Sequence, residues 1–218
     1  MSKNKNPISY TNLYTNHIKS IFDVIGIANK FYVEIGFNKQ KNKNDHTIYF
    51  KQNKWKGLWI ANTDYYLLNN DILNINISRD NINSQLTKNI IPNNFDLLVL
   101  NTGVNDFWLW DSLHYKPSVI MIPYNPFIEY EESKTITYQS NYTNINTECY
   151  GSSSFNALNK LAIDKSYKLL NSNNYYLFFV IDYLYETHFK KQSNTKQFYN
   201  KPENDLKNIY ENCEFITY

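Results

Sequence analysis

Phe95-Asp96-Leu97-Leu98-Val99-Leu100-Asn101-Thr102-Gly103 runs into Val104-Asn105-Asp106-Phe107-Trp108-Leu109-Trp110. After a short polar gap come Pro117-Ser118-Val119-Ile120-Met121-Ile122-Pro123-Tyr124-Asn125. The two apolar runs are too short for helices and are bounded by Pro and Asn. The aromatic segment between them fits a helix. Buried parallel strands read as short continuous apolar runs, and a helical crossover joins them. In open α/β sheets, ligands bind beyond the carboxyl ends of such strands. Here those ends are Asn101-Thr102-Gly103 and Pro123-Tyr124-Asn125.

Working outward, Ile8 to Ile27 has helical spacing of apolar residues, and Phe31 to Gly36 reads as a strand ending at a glycine. Asn44 to Lys54 fits a helix, with Asn44 or Asp45 as N-cap. Gly57 to Ala61 is a second strand and Asp64 to Leu73 a second crossover. Asn74 to Ser78 alternates like an edge strand, and Asp80 to Leu86 suggests a short helix. Pro126 to Tyr150 has no clear period and reads as a long loop over the strand ends. Ser152 to Lys165 is a helix capped from Ser152 to Ser154. Tyr167–Leu170 and Tyr175–Ile181 form an antiparallel hairpin. The expected fold is α/β: a doubly wound, mostly parallel sheet with a C-terminal antiparallel hairpin. The expected organisation is a disordered leader at 1–7, one domain over 8–190, and a polar tail at 191–218 with a short helix from Asp205 to Cys213.

The 218 residues suffice for one full core. Net charge is +2 and Arg79 is the only arginine, so the strong basic footprint of a nucleic-acid groove is missing. Abundant Asn, Lys, Ile and Tyr with almost no Arg suggests an AT-rich genome. Cys149 and Cys213 match no metal spacing. They read as free buried thiols in a reducing compartment. The N-terminus lacks a signal-peptide core, and no segment reaches transmembrane length. An intracellular, cytoplasmic protein with no membrane association is expected.

Tyr32-Val33-Glu34-Ile35-Gly36, Trp55-Lys56-Gly57-Leu58-Trp59-Ile60 and Phe95-Asp96-Leu97-Leu98 together carry a resemblance. So do Asn105-Asp106-Phe107-Trp108-Leu109-Trp110, Tyr124-Asn125 and Tyr150-Gly151-Ser152-Ser153-Ser154 with Ala157-Leu158. In this order and spacing they resemble the class I, Rossmann-like S-adenosylmethionine-dependent methyltransferases. More narrowly, they resemble a methyltransferase-like family of bacteria and large viruses. The resemblance spans about Phe31 to Ile181. It implies that Glu34, Gly36, Ala61, Asp64, Asn101 and Gly103 occupy the cofactor positions, in vestigial or atypical form.

The chain departs from the family's pattern around four strand ends. The glycine-rich loop after the first strand retains Gly36 alone, before Phe37-Asn38-Lys39. The acid expected for the ribose hydroxyls is replaced in Ile60-Ala61-Asn62, with Asp64 slightly too late. The Asp-Ile-Asp-Gly type site reads Asn101-Thr102-Gly103-Val104, and Glu-Tyr-Asn reads Pro123-Tyr124-Asn125. Amides and glycine supply neither a general base nor the charge for a divalent metal. No catalytic residue and no metal ligand are therefore assigned.

Asn105, Trp108, Tyr124 and Asn125 are candidate ligand or partner contacts. Against that, Glu34 can be a satisfied buried carboxylate, Asn105-Asp106 a helix cap, and one of Trp108 and Trp110 core. His46 and His114 lack evident catalytic partners. The expected function is a methyltransferase-fold protein that has lost catalysis, needs no cofactor, and serves as a binding or structural subunit beside protein partners. Two alternatives stand. One is an active enzyme using S-adenosylmethionine in an atypical site. The other is an RNA or mRNA-cap binding module.

Overall fold

The computed structural model describes residues 10–36, 46–61, 72–140, 153–173, 175–190, 194–201 and 213–218. The chain runs α1 (Tyr10–Ile25), β1 (Phe31–Ile35), α2 (Ile48–Gln52), β2 (Lys56–Ala61), β3 (Ile72–Asn74), α3 (Ile82–Lys88), β4 (Leu97–Leu100), α4 (Asp106–Ser112) and β5 (Val119–Pro123). It continues through β6 (Lys134–Ile136), α5 (Phe155–Asp164), β7 (Tyr167–Ser172), β8 (Tyr176–Ile181), α6 (Asp182–His188), a 3-10 turn (Thr195–Phe198) and β9 (Phe215–Thr217).

Seven strands form one sheet in the order β3-β2-β1-β4-β5-β8-β7. β1 to β5 are parallel where they pair, and β8 is antiparallel to both β5 and β7. This is the expected doubly wound α/β sheet closed by an antiparallel hairpin. β4 lies at its centre, and Leu97 to Leu100 have no exposed surface. Four consecutive apolar residues are needed there because helices cover both faces.

Strand alternation sorts the core into two layers. Tyr32, Trp59, Leu97, Val99, Val119, Met121, Phe178 and Val180 face α1, Phe50 of α2 and Tyr185 of α6. Val33, Ile35, Leu98, Leu100, Ile120, Ile122, Leu177 and Phe179 face α3, α4 and α5. On β2, Gly57 stands opposite Tyr32, and a Cβ there would meet the Tyr32 ring. At the amino pole the Asp96 carboxylate accepts from the amides of Ala28, Asn29 and Phe31 at 2.7, 2.9 and 3.2 Å. It thereby ties the α1–β1 turn to β4.

Several expectations need correction. The alternating stretch 74–78 is not the edge strand; β3 is Ile72–Asn74, beside Trp59, Ile60 and Ala61. Beyond it, the Asn81 side chain accepts from Ser78 N and donates to Asn76 O, bending the chain into α3. Within 126–150, Lys134–Ile136 is a strand, paired antiparallel with β9 at the C-terminus. A partner so distant in sequence leaves no local signal. α6 was not foreseen.

Cys213 is disulfide-bonded, and among the described residues no cysteine is free, so the free-thiol reading falls. The caps at Asn44 or Asp45, most of the 64–73 crossover and most of the 205–213 helix lie outside the described residues. Ser154 caps α5 as expected, accepting from Ala157 N at 3.1 Å. Among the described residues no helix is long and apolar enough to cross a membrane.

Candidate functional site

The carboxyl ends of β1, β2, β4 and β5 point to one pole, where Glu34, Gly36, Ala61, Asn101, Gly103 and Tyr124 lie in or directly after their strands. Glu34 is fully buried in β1, register partner of Trp59 on β2. Its carboxylate accepts from the Thr47 hydroxyl, from Thr47 N at 3.3 Å and from His46 N at 3.4 Å. Trp59 Nε1 donates to Thr47 Oγ1 at 2.7 Å and completes the chain. Glu34 thus fastens the entry of α2 to the sheet, as the structural reading expected.

Gly36 adopts φ +91° and donates to Ile60 O at 2.9 Å. A Cβ there would stand 2.7 Å from Thr102 N and closer still to the Asn101 carbonyl. The glycine is required because the chain's own backbone from β4 crosses directly over it. Asn101 N donates to Ile35 O at 2.8 Å, which holds that crossing in place. The Asn101 side chain accepts from the Tyr176 hydroxyl at 3.1 Å. Ala61 ends β2 and is 1% exposed, with no polar group to offer. Asp64 lies outside the described residues.

Thr102 and Gly103 turn back on Asp106. Its carboxylate accepts from Thr102 N at 2.8 Å, Thr102 Oγ1 at 2.7 Å and Gly103 N at 3.1 Å. Burial pushes the Asp106 carboxyl up, and these three bonds oppose the shift. Asn105 occupies the N-cap position of α4 without capping it. Its side chain instead donates to Gln139 O at 2.7 Å and accepts from Gln139 N at 3.2 Å. It pins the segment after β6 to the start of α4.

Trp108 is half-buried beneath the same segment, with Nε1 donating to Ile136 O at 2.8 Å. Arg79 lies over the Tyr138 ring at 4.2 Å and over Trp108 at 5.8 Å. Trp110 is core. Tyr124 is 1% exposed against Phe155, and burial pushes its hydroxyl up to about 12. Asn125 is fully buried; its Oδ1 accepts from Phe127 N at 2.9 Å, and its Nδ2 has no partner.

The sequence reading passed over the residue with the least satisfied chemistry at this pole. His46, between β1 and α2, is 1% exposed, and neither ring nitrogen has a partner. Tyr14 and Tyr176 meet its ring edge-on, each with centroids 5.1 Å away. Burial drops its pKa to about 4, so the imidazole is neutral at physiological pH. The available signal was position, immediately after a strand-loop unit and ahead of an apolar helix. His114 is exposed.

Ala61 cannot accept from ribose hydroxyls. Glu34 and Asp106 are engaged by the protein's own donors, and the backbone of Asn101 and Thr102 fills the close approach over Gly36. No group of acids, histidines and cysteines that could hold a metal occurs among the described residues.

No family model and no curated protein matches the chain. Solved structures do. The N-terminal domain of EvdMO1, determined with SAH and D-fucose, is 8% identical with TM-score 0.46, covering 77% of this chain and 81% of that one. A SAM-dependent methyltransferase from Aquifex aeolicus is 10% identical with TM-score 0.40, covering 80% and 92%. The CMeT domain of citrinin polyketide synthase is 9% identical with TM-score 0.38, covering 70% and 46%. Each is a similarity in the course of the chain, at identities that carry no residue-level correspondence.

Proposed function

We propose that this methyltransferase-fold protein has lost methyl transfer and acts as a non-catalytic binding or structural subunit of a larger assembly, with protein partners. The observation that carries this reading is the closure over Gly36. The glycine that would admit a cofactor is occupied by the backbone of Asn101 and Thr102. The neighbouring acids support it, because each serves the fold: Glu34 holds Thr47, and Asp106 holds the 102–103 turn. A carboxylate already accepting two or three protein donors has little left to give a ligand. Trp108, on which an RNA-stacking reading would lean, is half-buried, with Arg79 over its ring and Phe107 and Tyr138 packed against it.

Calorimetric titration with S-adenosylmethionine and S-adenosylhomocysteine, with and without magnesium, tests the proposal. No heat and no thermal shift at millimolar ligand is expected. Micromolar binding would overturn it and restore the reading as an active methyltransferase with an atypical site.

A further inference from the structure

His46 sits where three elements meet. α1 covers its ring with Tyr14, β8 meets it with Tyr176, and β1 holds its backbone through Glu34. Both tyrosine rings stand edge-on to the imidazole, and edge-on to one another at 4.9 Å. This three-ring cluster seats the first half of α1. His17, one turn on, stacks on Phe178 at 5.1 Å, and Asn171 Nδ2 donates to its Nε2 at 2.6 Å. Ile18 is buried at the middle of the helix. The second half is seated elsewhere. Ile21, Phe22 and Ile25 are buried, with Phe22 edge-on to Phe50 and Trp55, and Lys19 lies over the Tyr49 ring.

A proton on the His46 ring would go unmatched, because neither nitrogen has a partner. The groups facing the ring are the phenols of Tyr14 and Tyr176, and the Tyr176 hydroxyl already donates to Asn101 Oδ1. The Glu34 carboxylate bonds the backbone instead, accepting from His46 N, Thr47 N and the Thr47 hydroxyl. A buried charge without a partner is costly and is relieved by reaching water. The His46 backbone is fixed to β1, and Tyr176 is held in β8 between β5 and β7. The cover that can move is Tyr14, with the helix that carries it.

We propose that His46 is an acid-sensitive switch for α1: its protonation lifts the first half of the helix, through Ile18, off the sheet and uncovers the rings of His46 and Tyr176. A lifted half-helix loses its structure, because a short helix without packing is marginal. The sheet beneath stays closed. In the closed form the ring takes a proton only at about pH 4, against an ordinary 6.5 once it reaches water. Acid between those values therefore favours the open form, by about thirtyfold at pH 5. The switch does not depend on whether the strand-end crevice binds a cofactor.

Hydrogen exchange of the full chain tests this at pH 7.5 and pH 5.0, corrected for the intrinsic rate at each pH, with and without low urea. The opening constant at the amides of Tyr14 to Ile18 should rise about thirtyfold at the lower pH and hardly respond to urea. The amides of β4 should exchange more slowly and follow the full urea slope of global unfolding. His46→Phe and His46→Leu should each abolish the rise, and their protected β4 amides report that they are folded. Three results would each overturn the proposal. One is a rise of less than about threefold in the wild type. Another is α1 exchange that follows the urea slope of β4. The third is a rise that persists in both variants, which would place the effect on His17.

Discussion

Replacing His46 with phenylalanine should make the protein more stable and less sensitive to acid. The imidazole is 1% exposed with two unpartnered nitrogens, between the rings of Tyr14 and Tyr176. Its pKa is about 4 in the fold, against an ordinary 6.5. A folded-state pKa below the unfolded one means that the unfolded chain binds the proton more tightly. The histidine's contribution is thus fully present above pH 6.5 and is lost as pH falls toward 4. At about 1.4 kcal/mol per unit, the loss reaches about 2 kcal/mol at pH 5 and about 3 kcal/mol below pH 4.

A phenyl ring keeps the edge-on contacts and has no proton to bind. It also removes two buried unsatisfied polar atoms, worth about 1–3 kcal/mol at pH 7, less about 1 kcal/mol for its larger ring. The assay is urea unfolding of both proteins at pH 7.5 and pH 5.0, followed by circular dichroism. Asp106, whose carboxyl is raised, works in the opposite direction, but it is common to both proteins and cancels in the double difference. The variant should gain about 2 kcal/mol on the wild type between the two pH values. Equal acid sensitivity in the two proteins would refute the burial argument.

Gly36→Ala tests whether the glycine serves the fold. With φ +91° and the Asn101 carbonyl in the way, it should cost at least about 3 kcal/mol and lower the melting temperature by on the order of 10 °C. An alanine variant that melts like the wild type would mean that this approach is open. Ile90→Gly should stabilise. Ile90 is a β-branched residue at φ +55° and 88% exposed, so relief of about 1–2 kcal/mol outweighs glycine's added chain freedom of about 0.5–1 kcal/mol. A lower melting temperature for this variant would contradict that sum.

The central sheet was legible in the sequence because its signals are local and strong. Leu97 to Leu100 and Val119 to Pro123 are unbroken apolar runs, and the Tyr167–Ile181 hairpin closes on itself. β3 was misplaced because Ile75 and Ile77 alternate like strand residues while Asn81 bends the chain away. Helix ends were blurred for a different reason. Lys30, Lys54, Ile90 and Ser166 take the positive φ that glycine usually marks, each between a helix and the strand after it. β6 was invisible because its partner, β9, lies far along the chain. In the site, the departures at Ala61 and Asn101 could be read as missing chemistry. That Glu34 is a satisfied buried carboxylate was foreseen, but its partners His46 and Thr47 were not, since a loop of a dozen residues separates them from β1.

The placement of β8 governs the order in which the molecule can be made. β7 precedes β8 in sequence but lies outside it, so β8 is threaded between β5 and β7. Until residues 176–181 leave the ribosome, β5 has one open edge whose five residues are destined for full burial. Nascent chains stalled or cut before that point carry a sticky apolar ladder, the form most prone to aggregate. The last strand of the sheet to be synthesised is thus the one that seals it, so its completion is a late, long-range event and a natural rate-limiting step.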